Sequence, residues 1–256
     1  MFWKIFEAVI RLFYFRRFRA AKKIGDAGQL LTDGNPQKAL DLLEKTGKSL
    51  HQSLLPIYAF TRGKILDALH REDEAQEAFR LVVLADPENA RADLELAILC
   101  GKGFRFDECA QWLDRLEEKD DAEAREQANG IRALLAQVTS GERGTEFEKR
   151  AFQMAKKNIG ENGASPGFPP DMGIIDRWIS RDPDAARDLF DEIALLVGQS
   201  EVAKGGSWKV SLSIDCSMIV DEHGNEISPF EIVADRFESN DLSLSELIEK
   251  RCRRTP

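Results

Sequence analysis

Hydrophobic positions along the chain keep a helical period through most of its length and switch to a period of two only once, over residues 207–220. At 100° per residue, Phe2, Ile5, Phe6, Val9, Ile10, Leu12 and Phe13 cover one side of an N-terminal helix, while Lys4, Glu7, Arg11 and Tyr14 share a narrow stripe. Arg16 and Arg17 would enter the apolar face, so that face stops near Phe15. From about Ala20 to Asp121 the helical spacing is broken by turn signals at Gly34–Pro36, His70–Asp73, Asp86–Asn89 and Gly101–Phe106. A further amphipathic helix, about Asp121 to Val138, carries Ala124, Ala128, Ile131, Leu134, Leu135 and Val138 on one side.

The pattern changes beyond residue 140. Thr145 with Glu148 reads as a capping box that starts a short helix through Ala155, followed by a Gly- and Pro-rich linker over residues 158–173. Asp182-Pro183 reads as an N-cap with proline at the first helical position, and the helix is expected to run to Gly198. Within residues 207–220, Trp208, Val210, Leu212, Ile214, Cys216, Met218 and Val220 point one way and Lys209, Ser211, Ser213, Asp215 and Ser217 the other, which predicts a strand. The turn Asp221–Asn225 would lead it into a return strand from Glu226 to Val233, and Ser243 with Glu246 would cap a final helix ending in the basic residues 251–254.

Residues 56–87, PIYAFTRGKILDALHREDEAQEAFRLVVLADP, place Gly63 and Leu66 in one helix, Ala75 and Phe79 in the next, and close on Asp86-Pro87. This stretch resembles a tetratricopeptide (TPR) repeat. Thirty-four residues on, Ala97 and Cys100 take the first-helix places and Cys109 and Leu113 the second; upstream, Ala27, Leu30, Ala39 and Leu43 form a looser match offset by two residues. The expected fold class is therefore mainly α: a TPR-like α-α superhelix of about three hairpins plus a capping helix, followed by a small α+β unit with one β-hairpin. The expected domains are a basic amphipathic leader helix (1–23), TPR-like repeats (24–140), a short helix and linker (141–173) and an α+β tail (174–256). The resemblance implies a concave groove, lined by the first helices, that takes a peptide or helix from a partner. Its positions here are Ile57, Phe60, Lys64 and Asp67 in one repeat and Arg91, Glu95 and Ile98 in the next. The lysine and asparagine pattern with which some chaperone-binding members hold a terminal carboxylate is missing.

Charge divides the chain. The whole carries 36 basic and 45 acidic side chains for a net charge of −9. The first 23 residues hold seven of the basic ones against the single acid Glu7, so the other 233 hold 29 basic and 44 acidic. An acidic body repels phosphate backbones, so no nucleic-acid partner is expected. The fifteen-residue apolar run reaches only about 22 Å as a helix and is interrupted by three charges, which argues against a membrane span. Two readings of the leader remain. In one it lies on an anionic membrane surface, with Phe2, Trp3, Phe6, Ile10 and Phe13 inserted and Arg16, Arg17 and Arg19 at the headgroups. In the other the same face packs on the first repeat helix or on a second copy of the chain.

Cys100, Cys109, Cys216 and Cys252 are scattered without metal-ligand spacing, which fits reduced thiols in a cytoplasmic setting and implies no cofactor. No catalytic motif is present, so a non-enzymatic adaptor with a protein or peptide partner is expected. The one constellation that would suit a metal or acid–base chemistry is Asp215, Asp221, Glu222, His223 and Glu226 at the hairpin end.

Overall fold

A computed structural model describes residues 2–47, 50–154, 172–238 and 242–252, with the side chains of residues 2–16 and of several later positions outside the description. The chain forms two compact units, residues 1–100 with 107–129 and residues 101–106 with 130–256.

The first unit is built from helix hairpins. α1 (Phe2–Thr32) runs unbroken across the expected junction between leader and repeats. Gly25 and Gly28 do not interrupt it, and it ends only where Gly34 takes a φ of +74°. There the Gly34 N–H donates to the Leu31 carbonyl and the Asn35 N–H to that of Leu30, a left-handed cap that satisfies two terminal carbonyls. α2 (Pro36–Gly47) returns along α1 and buries Ala39, Leu40 and Leu43. The next hairpin pairs α3 (Leu55–Ala68) with α4 (Glu72–Ala85). Its turn uses the same cap with His70 at a φ of +56°, a conformation that glycine adopts without strain and histidine does not.

Helices α3 and α4 meet where the sequence placed its small residue. A Cβ on Gly63 would stand 2.7 Å from the Phe79 ring, so the fully buried phenyl group occupies the space that a side chain would need. α5 (Ala90–Lys102) adds Ala92, Leu96 and Leu99 to the same core, which also holds Ile24 and Ala27 of α1. α6 (Phe106–Glu117) buries Cys109, Leu113 and Leu116. α7 (Ala122–Ser140) begins at Asp121, whose carboxylate accepts from the Ala124 N–H at 3.0 Å, and buries Ala124 and Ala128 but leaves Leu134 exposed. One ion cluster lies inside: Asp93, with no solvent exposure, contacts the ammonium of buried Lys119 and lies 3.3 Å from Arg115. Burial raises the Asp93 pKa, and the two cations pull it back.

In the second unit α8 (Glu142–Met154) starts three residues before Thr145, so Thr145 lies inside the first turns and not at the N-cap. Residues 155–171, most of the expected linker, lie outside the described residues. α9 (Met172–Arg181) had no counterpart in the sequence reading. Asp182 caps α10 (Pro183–Asp188) by accepting from the Ala185 N–H at 3.2 Å, as expected, but the helix breaks at Leu189 and resumes as α11 (Phe190–Val202). Residues 193–201 of α11 are all buried, which makes it the central helix of the unit. Gly198 lies within it rather than at its end, and its missing side chain makes room for the Trp208 indole, which a Cβ there would meet at 2.3 Å.

The expected fourteen-residue strand is a chain reversal. β1 (Ser207–Lys209) and β2 (Met218–Val220) pair antiparallel, Ser207 opposite Val220 and Trp208 opposite Ile219, and β3 (Glu226–Ile227) pairs with β2 to complete a three-stranded sheet. The serines assigned to a solvent face cause the reversal. Ser211 is fully buried and donates its hydroxyl to the Gly101 and Lys102 carbonyls at 3.2 and 3.0 Å, while its N–H donates to the Ser217 hydroxyl at 3.0 Å. A short 3₁₀ turn, Ile214–Cys216, then shifts the alternation, so Ile219 is buried instead of its neighbours Met218 and Val220. The expected return strand lasts two residues. Pro229 starts α12 (Pro229–Glu238), and Ser228 caps it by accepting from the Glu231 N–H at 3.3 Å. α13 (Leu244–Cys252) carries the expected capping box, with the Ser243 N–H donating to Glu246 at 2.8 Å and the Glu246 N–H to Ser243 at 3.3 Å.

Two substitutions in the α3–α4 hairpin should act in opposite directions. Gly63→Ala forces the Phe79 ring to move and should lower unfolding stability by about 1–3 kcal/mol. His70→Gly relieves the left-handed turn and should raise it by about 1 kcal/mol. Chemical denaturation of the full chain measures both.

Candidate partner-binding surfaces

The positions that the TPR resemblance assigns to a groove lie on α3 and α5. Ile57 is 54% exposed, the largest apolar opening among them. Phe60 is half-buried, its ring set edge-on to Phe79 with centroids 5.5 Å apart, so it belongs partly to the core. The Lys64 ammonium donates to the Glu95 carboxylate at 2.9 Å, joining α3 to α5. Asp67 and Ile98 are half-buried. Arg91 pairs at 3.1 Å with Glu123 of α7, a residue that the sequence reading left out. The charges of this surface thus answer one another from helix to helix; each exposed pair contributes at most about 1 kcal/mol, and together they fix register. The sequence reading also missed Leu81 and Leu84, both exposed on α4. Only their helical phase against buried Val82 and Val83 could have shown them.

For the leader, the side chains of Phe2, Trp3, Phe6, Ile10, Phe13 and Arg16 lie outside the described residues. Arg17 and Arg19 are exposed, as are Lys22 and Lys23, and Phe18 stands among them at 68% exposure. The 31 residues of α1 extend about 46 Å against about 18 Å for the 12 residues of α2, so α1 outreaches its hairpin partner by several turns. Among the described residues no helix is long and apolar enough to cross a membrane.

The acidic hairpin end of the second unit is knit into its own turn. Asp221 accepts from the His223 N–H, the Asn225 N–H and the Asn225 side-chain amide, each at 2.8 Å. Those bonds, the Asn225 amide first, hold its carboxyl below the ordinary carboxylate range. Glu226 accepts from Lys209 at 2.5 Å, and Asp215 from the Ser213 hydroxyl. Among the described residues no three His, Cys, Asp or Glu side chains gather where they could hold a metal ion.

The same unit contains a half-open cavity of about 410 Å³ that the sequence did not disclose. Phe104 and Phe106 form one wall, Trp208 and Val210 another, and Val138 with Gly141 and Gly144 the side where α7 gives way to α8. Lys209 stands at its edge, the ammonium 4.6 Å from the Phe104 ring centroid. No family model matches the chain, and no curated protein matches it either.

The bonding at Asp221 sets a pH dependence. A folded-state carboxyl held below its unfolded value stabilises its turn above that value and loses the contribution as pH falls through the folded one. The amide resonances of His223 and Asn225 should therefore titrate together with a midpoint below the ordinary aspartate value. A midpoint at or above that value would show that the turn bonds do not form.

Proposed function

We propose that the chain is a non-enzymatic adaptor: a TPR-like stack of helix hairpins presents the α3–α5 surface to a protein or peptide, while the first turns of α1 lie on an anionic membrane face. The observation that carries this reading is α1 itself. It is a single helix whose C-terminal half buries Ile24 and Ala27 in the first core, while Arg17, Phe18, Arg19, Lys22 and Lys23 stand in solvent. A phenyl ring exposed among four cations suits the boundary between headgroups and acyl chains better than it suits water. Because the helix has no hinge, a membrane-bound leader would set the orientation of the hairpins that follow.

Support for the TPR-like reading comes from Gly63 under Phe79 and from the pairs Lys64–Glu95 and Arg91–Glu123, whose partners stand 31 and 32 residues apart and tie neighbouring first helices together. A cytoplasmic setting accords with the thiols. Cys100 and Cys109 are buried, and burial pushes Cys109 up to about 11, far from a reactive thiolate.

Vesicle co-sedimentation of the full chain tests the reading. Binding should require anionic lipid and weaken with salt. Replacing Arg16, Arg17 and Arg19 by glutamine should weaken it about a hundredfold at low salt, at about 1 kcal/mol for each charge near the surface. Binding that is absent, or indifferent to lipid charge and to these substitutions, would leave the leader to packing against the fold or a second copy.

A further inference from the structure

The cavity in the second unit is independent of the leader and of the α3–α5 surface. We propose that it is a binding site for a small amphiphilic monoanion, a carboxylate carried on an acyl or aryl body. Its volume of about 410 Å³ falls in the range of small-molecule sites, and Phe104, Phe106, Val138, Trp208 and Val210 give it apolar walls. Trp208 contributes ring carbon rather than a donor, because its indole N–H is already given to Gln199 at 3.3 Å. The body of the ligand is therefore apolar.

Two features call for a negative head. Among the described residues Lys209 is the one charged side chain in the lining, and an ammonium has three donors, of which Glu226 takes one. Gly141 and Gly144 put the first turn of α8 in the lining, where helix N–H groups lack intrahelical partners and the dipole is positive. One ammonium lines the cavity, so a single negative charge is the head it can match.

Titration calorimetry of the full chain with octanoate, and with octanol as the uncharged control, tests the site. Octanoate should bind one per chain, and octanol about tenfold more weakly, the loss of one charge-assisted contact. Lys209→Gln should bring octanoate down to the octanol value, since its exposed pair with Glu226 adds little to stability. Gly144→Leu and Val138→Phe should each abolish binding of both by filling the cavity, with circular dichroism and melting unchanged in at least one. A Cβ on Gly144 meets only Val210, at an ordinary 3.8 Å, so the helix admits the larger side chain. The proposal is overturned if octanoate does not bind, if octanoate and octanol bind alike, or if binding survives in a folded cavity-filled variant.

Discussion

The first unit depends on how closely α3 can approach α4. At Gly63 the backbone of one helix comes near enough to the other that the Phe79 ring fills the missing side chain's place, and Ala75 and Ala78 keep the rest of the contact thin. That separation puts Phe60 edge-on to Phe79 and sets the layer into which Ala92, Leu96 and Leu99 of α5 pack. The polar contacts are downstream of it. Lys64 reaches Glu95 because the two helices are already side by side, and exposed ion pairs are too weak to have brought them there.

Asp93 shows the opposite economy. Its carboxylate is out of water, and burial pushes its pKa up even with Lys119 and Arg115 beside it, so ionisation is tolerated rather than rewarded. An apolar residue of similar size would pack there at lower cost. A buried charge has a narrower tolerance, however, because α5 rotated or slid by one residue would leave it without a cation. Hydrophobic contacts alone would accept that slip.

What the sequence disclosed follows the range of the interactions. Two of the three caps foretold within four residues formed: Asp182, and Ser243 with Glu246, start their helices as their spacing indicated, whereas Thr145 with Glu148 falls inside α8. The Gly63–Phe79 contact, sixteen residues apart within one hairpin, was not foreseen, because the repeat resemblance put the two residues in paired helices without setting one against the other. Nor was the reversal at Ser211, since its hydroxyl bonds to carbonyls about 110 residues earlier, and a period of two looks the same in a half-buried strand and in a loop tied down by serines. Ser228-Pro229 was a local signal overlooked because an apolar alternation ran through it. The continuity of α1 was hidden by a change in composition, from aromatic to basic, that has no bearing on backbone geometry. The α3 and α5 surface positions were readable only through a repeat resemblance, and the cavity walls come from segments too far apart in sequence for any pattern to join.

The six residues 101–106, from the end of α5 to the first residue of α6, belong to the second unit although both neighbouring stretches belong to the first. The chain therefore leaves its first unit, contributes a loop to the second, and returns. On the ribosome that loop would emerge long before Ser211 exists to donate its hydroxyl to the loop's carbonyls, so water must serve them in the interim. Maturation of the second unit is thus gated by the C-terminal third of the chain, and a translation pause upstream of residue 211 would hold the nascent protein with one core formed and the other waiting for its closing strand.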